Sequence, residues 1–283
     1  LPQGSPESPI MFNFFIDGLP RALRDHGLGV QVAGIRCASL LVADDIALIA
    51  ASAAEMRIAL KVVDEYFMKW RLRLNPSPKS AILIVAPPSE VKRISSEAFL
   101  CNGRNLSIVD CYTYLGVVIS NDLSWNLHVE SMLRRARKRM AWLKFAAGQY
   151  RGMRPRTYLK LYTACVRPLM EYCSGVWAPS LTRAQTRSLQ LVQSDVLRAA
   201  LRVPSRTPVV VLHLETGVQY LKTRWEILLF RFLSKMLSAG EDRIYRNALL
   251  SAVRNSIPWA LSIIRILVIV VRWMNYLTSY LLA

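Results

Sequence analysis

Residues 34–52, GIRCASLLVADDIALIAAS, set two apolar runs on either side of the tripeptide Ala43-Asp44-Asp45. Short apolar runs broken by a tight polar centre predict the two arms of a buried β-hairpin with carboxylates at its tip. Burying one carboxylate without a partner is expensive, and two like charges side by side cost more. A divalent cation removes that penalty, and Mg²⁺ prefers carboxylate and phosphate oxygens. A solvated Asp-Asp turn satisfies the same two residues, since Asp is common in turns. The dipeptide alone leaves both open.

The segments around this hairpin predict an α+β region. Residues 8–26 predict a helix with Ser8 as N-cap, Pro9 in its first turn, a bend at Pro20 and an end at Gly27. Met11, Phe12, Phe14, Phe15 and Leu19 supply its apolar face. Ser52 and Glu55 predict a capping box, with Met56, Leu60, Val63, Phe67 and Trp70 following at helical spacing. A strand is expected at AILIVA (81–86), a hairpin at Asn102-Gly103, and a last strand at TYLGVVIS (113–120).

Beyond residue 121 the chain changes character. From Ser131 to Met170 there are eleven Lys or Arg and no Asp or Glu. Helical spacing runs through Met140, Leu143, Leu159, Tyr162 and Val166, with a turn at Gly148, Gly152 and Pro155. A further helix is expected over Thr182–Arg202, then an extended run VVVLHL and another basic amphipathic helix by residue 238. The whole chain carries 37 Lys+Arg against 19 Asp+Glu, net +18, which points to nucleic acid or an anionic membrane surface as partner. Arg134, Arg135, Arg137, Lys138 and Arg139 cluster on little more than one helical turn. A merely solvated face carries compensating acids, so their absence favours phosphates.

The five cysteines show no metal or redox spacing and are expected to be buried thiols in a reducing compartment. The three histidines are too scattered to complete a metal site. Residues 256–283 are apolar, but Arg265 and Arg272 interrupt them, so a buried or interfacial helix is expected rather than a span.

In order, LPQGSPESPIMFNFFIDGL, VADD, LRLNPSPKS and YLGVVISNDLSWNLHVE resemble the later motifs of reverse transcriptases, most of all those of LINE-type (non-LTR) retrotransposons. LYTACVRPLMEYCSGVWAP, LQLVQSDVLRAALRVPSRTP and HLETGVQYLKTRWEILLFRF resemble the segments that follow the polymerase palm in those elements. The likeness covers roughly residues 1–235, and its specificity lies in the order of several motifs.

The resemblance implies a partial right-hand polymerase palm of antiparallel strands and helices (1–120), a basic helical thumb (121–202) and a post-thumb region (203–283). It implies an RNA-directed DNA polymerase with an RNA template, a DNA primer, dNTP and Mg²⁺. No stable membrane partner is implied, and the place of work is intracellular, in nucleus and cytoplasm. Asp44 would bind the catalytic metals with Asp45 in support, and Lys79 would stabilise the leaving pyrophosphate. Gln3 and Gly4 would lie against nucleotide and template, and Tyr114, Leu115 and Gly116 would grip the primer end. Arg134, Arg135, Arg137, Lys138 and Arg139 would hold the nucleic-acid backbone, while Trp125 and His128 are expected to pack.

Val42 stands where the family usually has an aromatic, Glu7 where an apolar residue is commoner, and Asn75 and Lys79 are one residue further apart than usual. The chain starts without Met, and the family's other metal-binding aspartate lies upstream of the Pro-Gln-Gly motif. The expectation is therefore half an active site, with no templated synthesis by this chain alone. A catalytically dead nucleic-acid-binding remnant is the alternative.

Overall fold

The computed structural model describes residues 5–32, 34–72, 79–149, 152–240 and 243–255. They fall into two compact units, Leu1–Ser124 and Trp125–Ala283. The first mixes helix and strand and the second is helical, in keeping with an α+β chain.

The first unit opens with α1 (Ser8–Ile16) and α2 (Gly18–Asp25). The single bent helix expected over 8–26 is thus two helices, and the break falls at Asp17 rather than Pro20. Pro20 lies in the first turn of α2, where an N–H has no helical acceptor to lose. Ser8 is already helical; Glu7 holds the cap position, with no side-chain bond to the helix.

Strands follow as β1 (Val30–Val32), β2 (Ile35–Cys37), β3 (Ser39–Val42) and β4 (Asp45–Leu48). After them come α3 (Ala53–Lys69), β5 (Ala81–Leu83) and α4 (Pro88–Ser95). The unit closes with β6 (Leu100–Cys101), β7 (Arg104–Asn105), β8 (Ser107–Val109), β9 (Cys111–Tyr114) and β10 (Val117–Ser120). Consecutive strands form four antiparallel pairs, β1/β2, β3/β4, β6/β7 and β9/β10. The fifth pair, β5/β8, is parallel, which departs from the all-antiparallel expectation. Parallel neighbours need a long crossover, and α4 with the β6/β7 hairpin supplies it.

TYLGVVIS is not one strand but most of the β9/β10 hairpin. Leu115 and Gly116 have φ of 46° and 80°, and Asn102 and Gly103 have 52° and 69°. Two successive positive φ values are the signature of a type I′ turn, which joins strands and cannot continue one.

Helix α3 is buried on two sides. Ala59, Val62, Val63 and Phe67 pack with Ile16, Leu19 and Leu23, while Leu60 packs with Ile82, Phe99 and Leu106. Ser52 caps it by accepting from the Glu55 N–H at 3.1 Å. Glu55 does not return to Ser52 as a reciprocal box requires; its carboxylate accepts from the Ala51 N–H at 2.7 Å and the Gly29 N–H at 2.5 Å. Gly29 has φ 101°, and a Cβ there would meet the Cys37 carbonyl oxygen at 2.5 Å, so the close approach needs glycine. Trp70, expected on the apolar face, is 44% exposed and lies edge-on to Phe15 at 5.2 Å.

The second unit holds α5 (Asn126–Gln149), α6 (Pro155–Leu161), α7 (Arg167–Glu171) and α8 (Ser174–Trp177). It continues with α9 (Arg183–Leu201), α10 (Val209–Thr216), α11 (Leu221–Leu237) and α12 (Ile244–Arg254). A π-helical turn at Tyr162–Val166 links α6 to α7. It precedes Pro168, whose ring and missing N–H disfavour a regular turn there. VVVLHL, expected to be extended, is most of α10. Pro208 at its N-cap and Gly217 in the left-handed region at its end set helical boundaries that outweigh the β preference of three valines.

Met132, Ala136 and Leu143 of α5 share one core with Tyr162, Met170, Trp177, Leu189, Val196 and Trp225. The rings of Trp177 and Trp225 meet edge-on at 5.3 Å, and the Trp225 Nε1–H donates to the buried Met170 carbonyl at 2.7 Å. Trp225→Phe keeps most of the ring but strands that carbonyl. It should destabilise the unit by about 1–3 kcal/mol in urea unfolding.

No helix among the described residues is long and apolar enough to cross a membrane. The expected tail helix at 256–283, with Arg265 and Arg272, lies outside the described residues.

Candidate functional site

The aspartate hairpin forms where the sequence places it. Val42 pairs with Asp45, so Ala43 and Asp44 are the two loop residues. Ala43 has φ 52°, a conformation an L-residue seldom adopts without support. The support comes from α1, where the Asn13 side-chain oxygen accepts the Ala43 N–H at 3.0 Å. The hairpin is less buried than expected. Asp44 and Asp45 are both exposed, and Leu40 and Val42 are 45% and 48% exposed. Both residues are open to solvent, which keeps their carboxylates available to a cation.

Strand β9 connects this tip to the predicted lysine. Tyr112 and Tyr114 lie two apart and therefore on one face. The Tyr112 hydroxyl donates to the Lys79 carbonyl at 2.5 Å, and Lys79 is exposed. Burial first and the Asp45 charge second push the Tyr114 phenol above its ordinary pKa. One strand face thus holds the Lys79 backbone at one residue and stands within the field of Asp45 at the next but one. A cavity of about 410 Å³ lies under it, lined by Leu40, Ile46, Lys79, Tyr112, Tyr114 and Ile119 among others.

Leu115 and Gly116 form the exposed turn beyond Tyr114. Gln3, Gly4 and Asn75 lie outside the described residues. No group of three or more His, Cys, Asp or Glu able to hold a metal is found among the described residues. The carboxylates the hairpin tip offers are Asp44 and Asp45. That fits Mg²⁺, which takes one or two carboxylates and fills its shell with water and substrate oxygens.

Sequence reasoning missed Asn13 and Tyr112. Asn13 had a signal, since it is the one polar residue in Met11–Ile16. Tyr112 had none, because its partner is a backbone carbonyl distant in sequence.

In the second unit, Arg134, Arg135, Arg137, Lys138 and Arg139 are all exposed on α5. None of the five forms an ion pair among the described residues. Trp125 and His128 pack edge-on at 6.0 Å, and His128 is buried against Trp177 at 5.6 Å. Desolvation, then the Arg135 charge, lowers the His128 pKa.

The cysteines correct an expectation. Cys37 and Cys101 are buried, but Cys111 and Cys173 are exposed and Cys165 is partly so. The Cys101 thiol donates to Asp64 Oδ1 at 2.9 Å, and burial together with that carboxylate pushes its pKa up to about 12. A thiol-specific reagent at about pH 8 should modify Cys111 and Cys173 and spare Cys101, since the thiolate is the nucleophile. Peptide mass spectrometry reads this. The unfolded chain ionises the same thiol near 9.0, so stability should be full below that pH and fall towards about 12.

Comparison with known proteins gives the site its context. Residues 1–119 match the family described as reverse transcriptase (RNA-dependent DNA polymerase). Along 256 residues, 87% of this chain and 26% of the relative, it is 24% identical to a probable RNA-directed DNA polymerase from transposon BS of Drosophila melanogaster. It is 22% identical over 207 residues, 70% of this chain, to the RNA-directed DNA polymerase from mobile element jockey of Drosophila funebris, covering 21% of that protein. It is 25% identical over 228 residues, 78% of this chain, to a Pol polyprotein from the type-1 retrotransposable element R2 of Popillia japonica, covering 34% of it. The chain therefore spans about a fifth to a third of the length of these relatives. Residues 1–119, which hold the aspartate hairpin, are similar to reverse transcriptases, and most of the chain is similar to polymerases of mobile elements.

Proposed function

We propose that this chain is part of a LINE-type reverse transcriptase that extends a DNA primer on an RNA template. Residues 1–120 supply the later part of the palm, residues 121–202 a basic thumb, and residues 203–283 the post-thumb region. The observation that carries the reading is the hairpin tip. Two adjacent, exposed carboxylates are held on a turn that Asn13 fixes, inside the segment similar to reverse transcriptases.

Asp44 and Asp45 would hold Mg²⁺. When bound, the ion would acidify the primer 3′-hydroxyl and neutralise charge on the departing pyrophosphate. The protein's own groups do the rest. Lys79, anchored through its carbonyl by Tyr112, presents an ammonium to phosphate oxygens. Tyr114, Leu115 and Gly116 position the primer end, and Gln3 and Gly4 contact nucleotide and template. The α5 cations bind backbone phosphates without reading sequence. The place of work is intracellular, nucleus and cytoplasm, in keeping with five free cysteines.

The test is Mn²⁺ binding by water-proton relaxation. Two carboxylates alone should give a dissociation constant on the order of millimolar, about 4 kcal/mol. Asp44→Asn should abolish it. Tight binding that survives Asp44→Asn would place the ion elsewhere and refute the assignment.

A further inference from the structure

Helix α5 has a core side and an uncovered side. Val129, Met132, Ala136 and Leu143 are buried, at i, i+3, i+7 and i+14. Arg134, Lys138, Trp142 and Phe145 fall at i, i+4, i+8 and i+11, so they share the opposite face. Arg135 flanks that row and is exposed. Trp142 is 54% exposed and Phe145 63%.

This face is uncompensated twice over. Its cations form no ion pair among the described residues, not even Arg134 with Glu130 one turn before it, although like charges at i, i+4 repel. Its two large aromatic rings stand mostly in water one turn beyond the cations. A polymer that alternates phosphates with flat rings satisfies both needs at once. A duplex offers the phosphates but keeps its base faces in the stack. An anionic membrane suits helices whose cations and apolar groups lie on separate faces, whereas here they stand in one row.

We propose that the solvent face of α5 binds single-stranded nucleic acid. Trp142 and Phe145 stack on unpaired bases while Arg134, Arg135 and Lys138 hold the adjoining phosphates. From Arg134 to Phe145 the face runs about 16 Å, room for a short run of nucleotides. The inference rests on the reading that this cluster contacts nucleic-acid backbone, and it adds the unpaired strand as the form of ligand.

Fluorescence anisotropy with the full chain separates the two claims. The probes are a labelled oligo-dT strand, the same strand with abasic sites, and a duplex. Trp142→Ala with Phe145→Ala should weaken oligo-dT binding about tenfold or more, leave the abasic strand and duplex nearly unchanged, and keep the salt slope. Trp142→Phe should retain most of the affinity, which excludes a folding defect as the cause. Arg134→Gln, Arg135→Gln and Lys138→Gln together should weaken all three probes and lower the salt slope by about 2. No loss on oligo-dT, or equal loss on all three probes, overturns the stacking proposal. So does loss of binding to phosphatidylserine vesicles in the aromatic variant with oligo-dT binding intact. Unchanged binding in the triple variant would instead remove the backbone reading beneath it.

Discussion

Affinity of the full chain for an RNA–DNA duplex should fall about 10²–10³-fold between ~50 and ~200 mM salt, if about five phosphates are neutralised on binding. Arg134, Arg135, Arg137, Lys138 and Arg139 are exposed and free of ion pairs among the described residues, so each can release a counterion from phosphate. Paired acids would have screened them; residues 131–170 contain no acid, and Glu130, one turn before Arg134, forms no ion pair with it. Replacing all five by Gln should flatten the slope by about 4, near 0.9 per phosphate contact. Binding titrations across a salt series measure it. An unchanged slope would make the cluster a solvated face.

Much of this was legible in the sequence, where local chemistry decides the outcome. The aspartate hairpin, the α3 cap at Ser52, the Asn102-Gly103 turn and the basic helix follow from turn residues, capping residues and periodicity. What could not be read depends on partners distant in sequence. Glu55 turns away from Ser52 because the Gly29 N–H offers an acceptor-seeking donor. Tyr112 finds the Lys79 carbonyl across 33 residues. Exposure escapes the sequence for the same reason, since burial of Val42 or Cys111 depends on which elements cover them, and alternation along a strand says nothing of that. In α10 three valines argued for a strand, but Pro208 and Gly217 at the two ends were the better guide.

The second large effect concerns Asp44. A catalytic cation supplies several kcal/mol of transition-state charge stabilisation, so once the chain is completed by a relative's upstream segment, loss of a carboxylate that holds the ion should cost about 10³-fold or more in rate. Asp44→Asn keeps the shape of the exposed hairpin loop and removes only the charge. Stability and duplex affinity should therefore hold, because Asp44 is an exposed loop residue and the basic cluster belongs to the other unit. Lys79→Ala should be milder, about 10²-fold, as expected for one stabilising donor among several.

The direct test is primer extension by a chimera in which this chain replaces the matching segment of one of its longer relatives. Mg²⁺-dependent DNA synthesis on an RNA template is expected, abolished by Asp44→Asn with duplex affinity unchanged. Extension at an undiminished rate in the Asp44→Asn chimera, or none at all from a folded chimera that binds duplex, would contradict it.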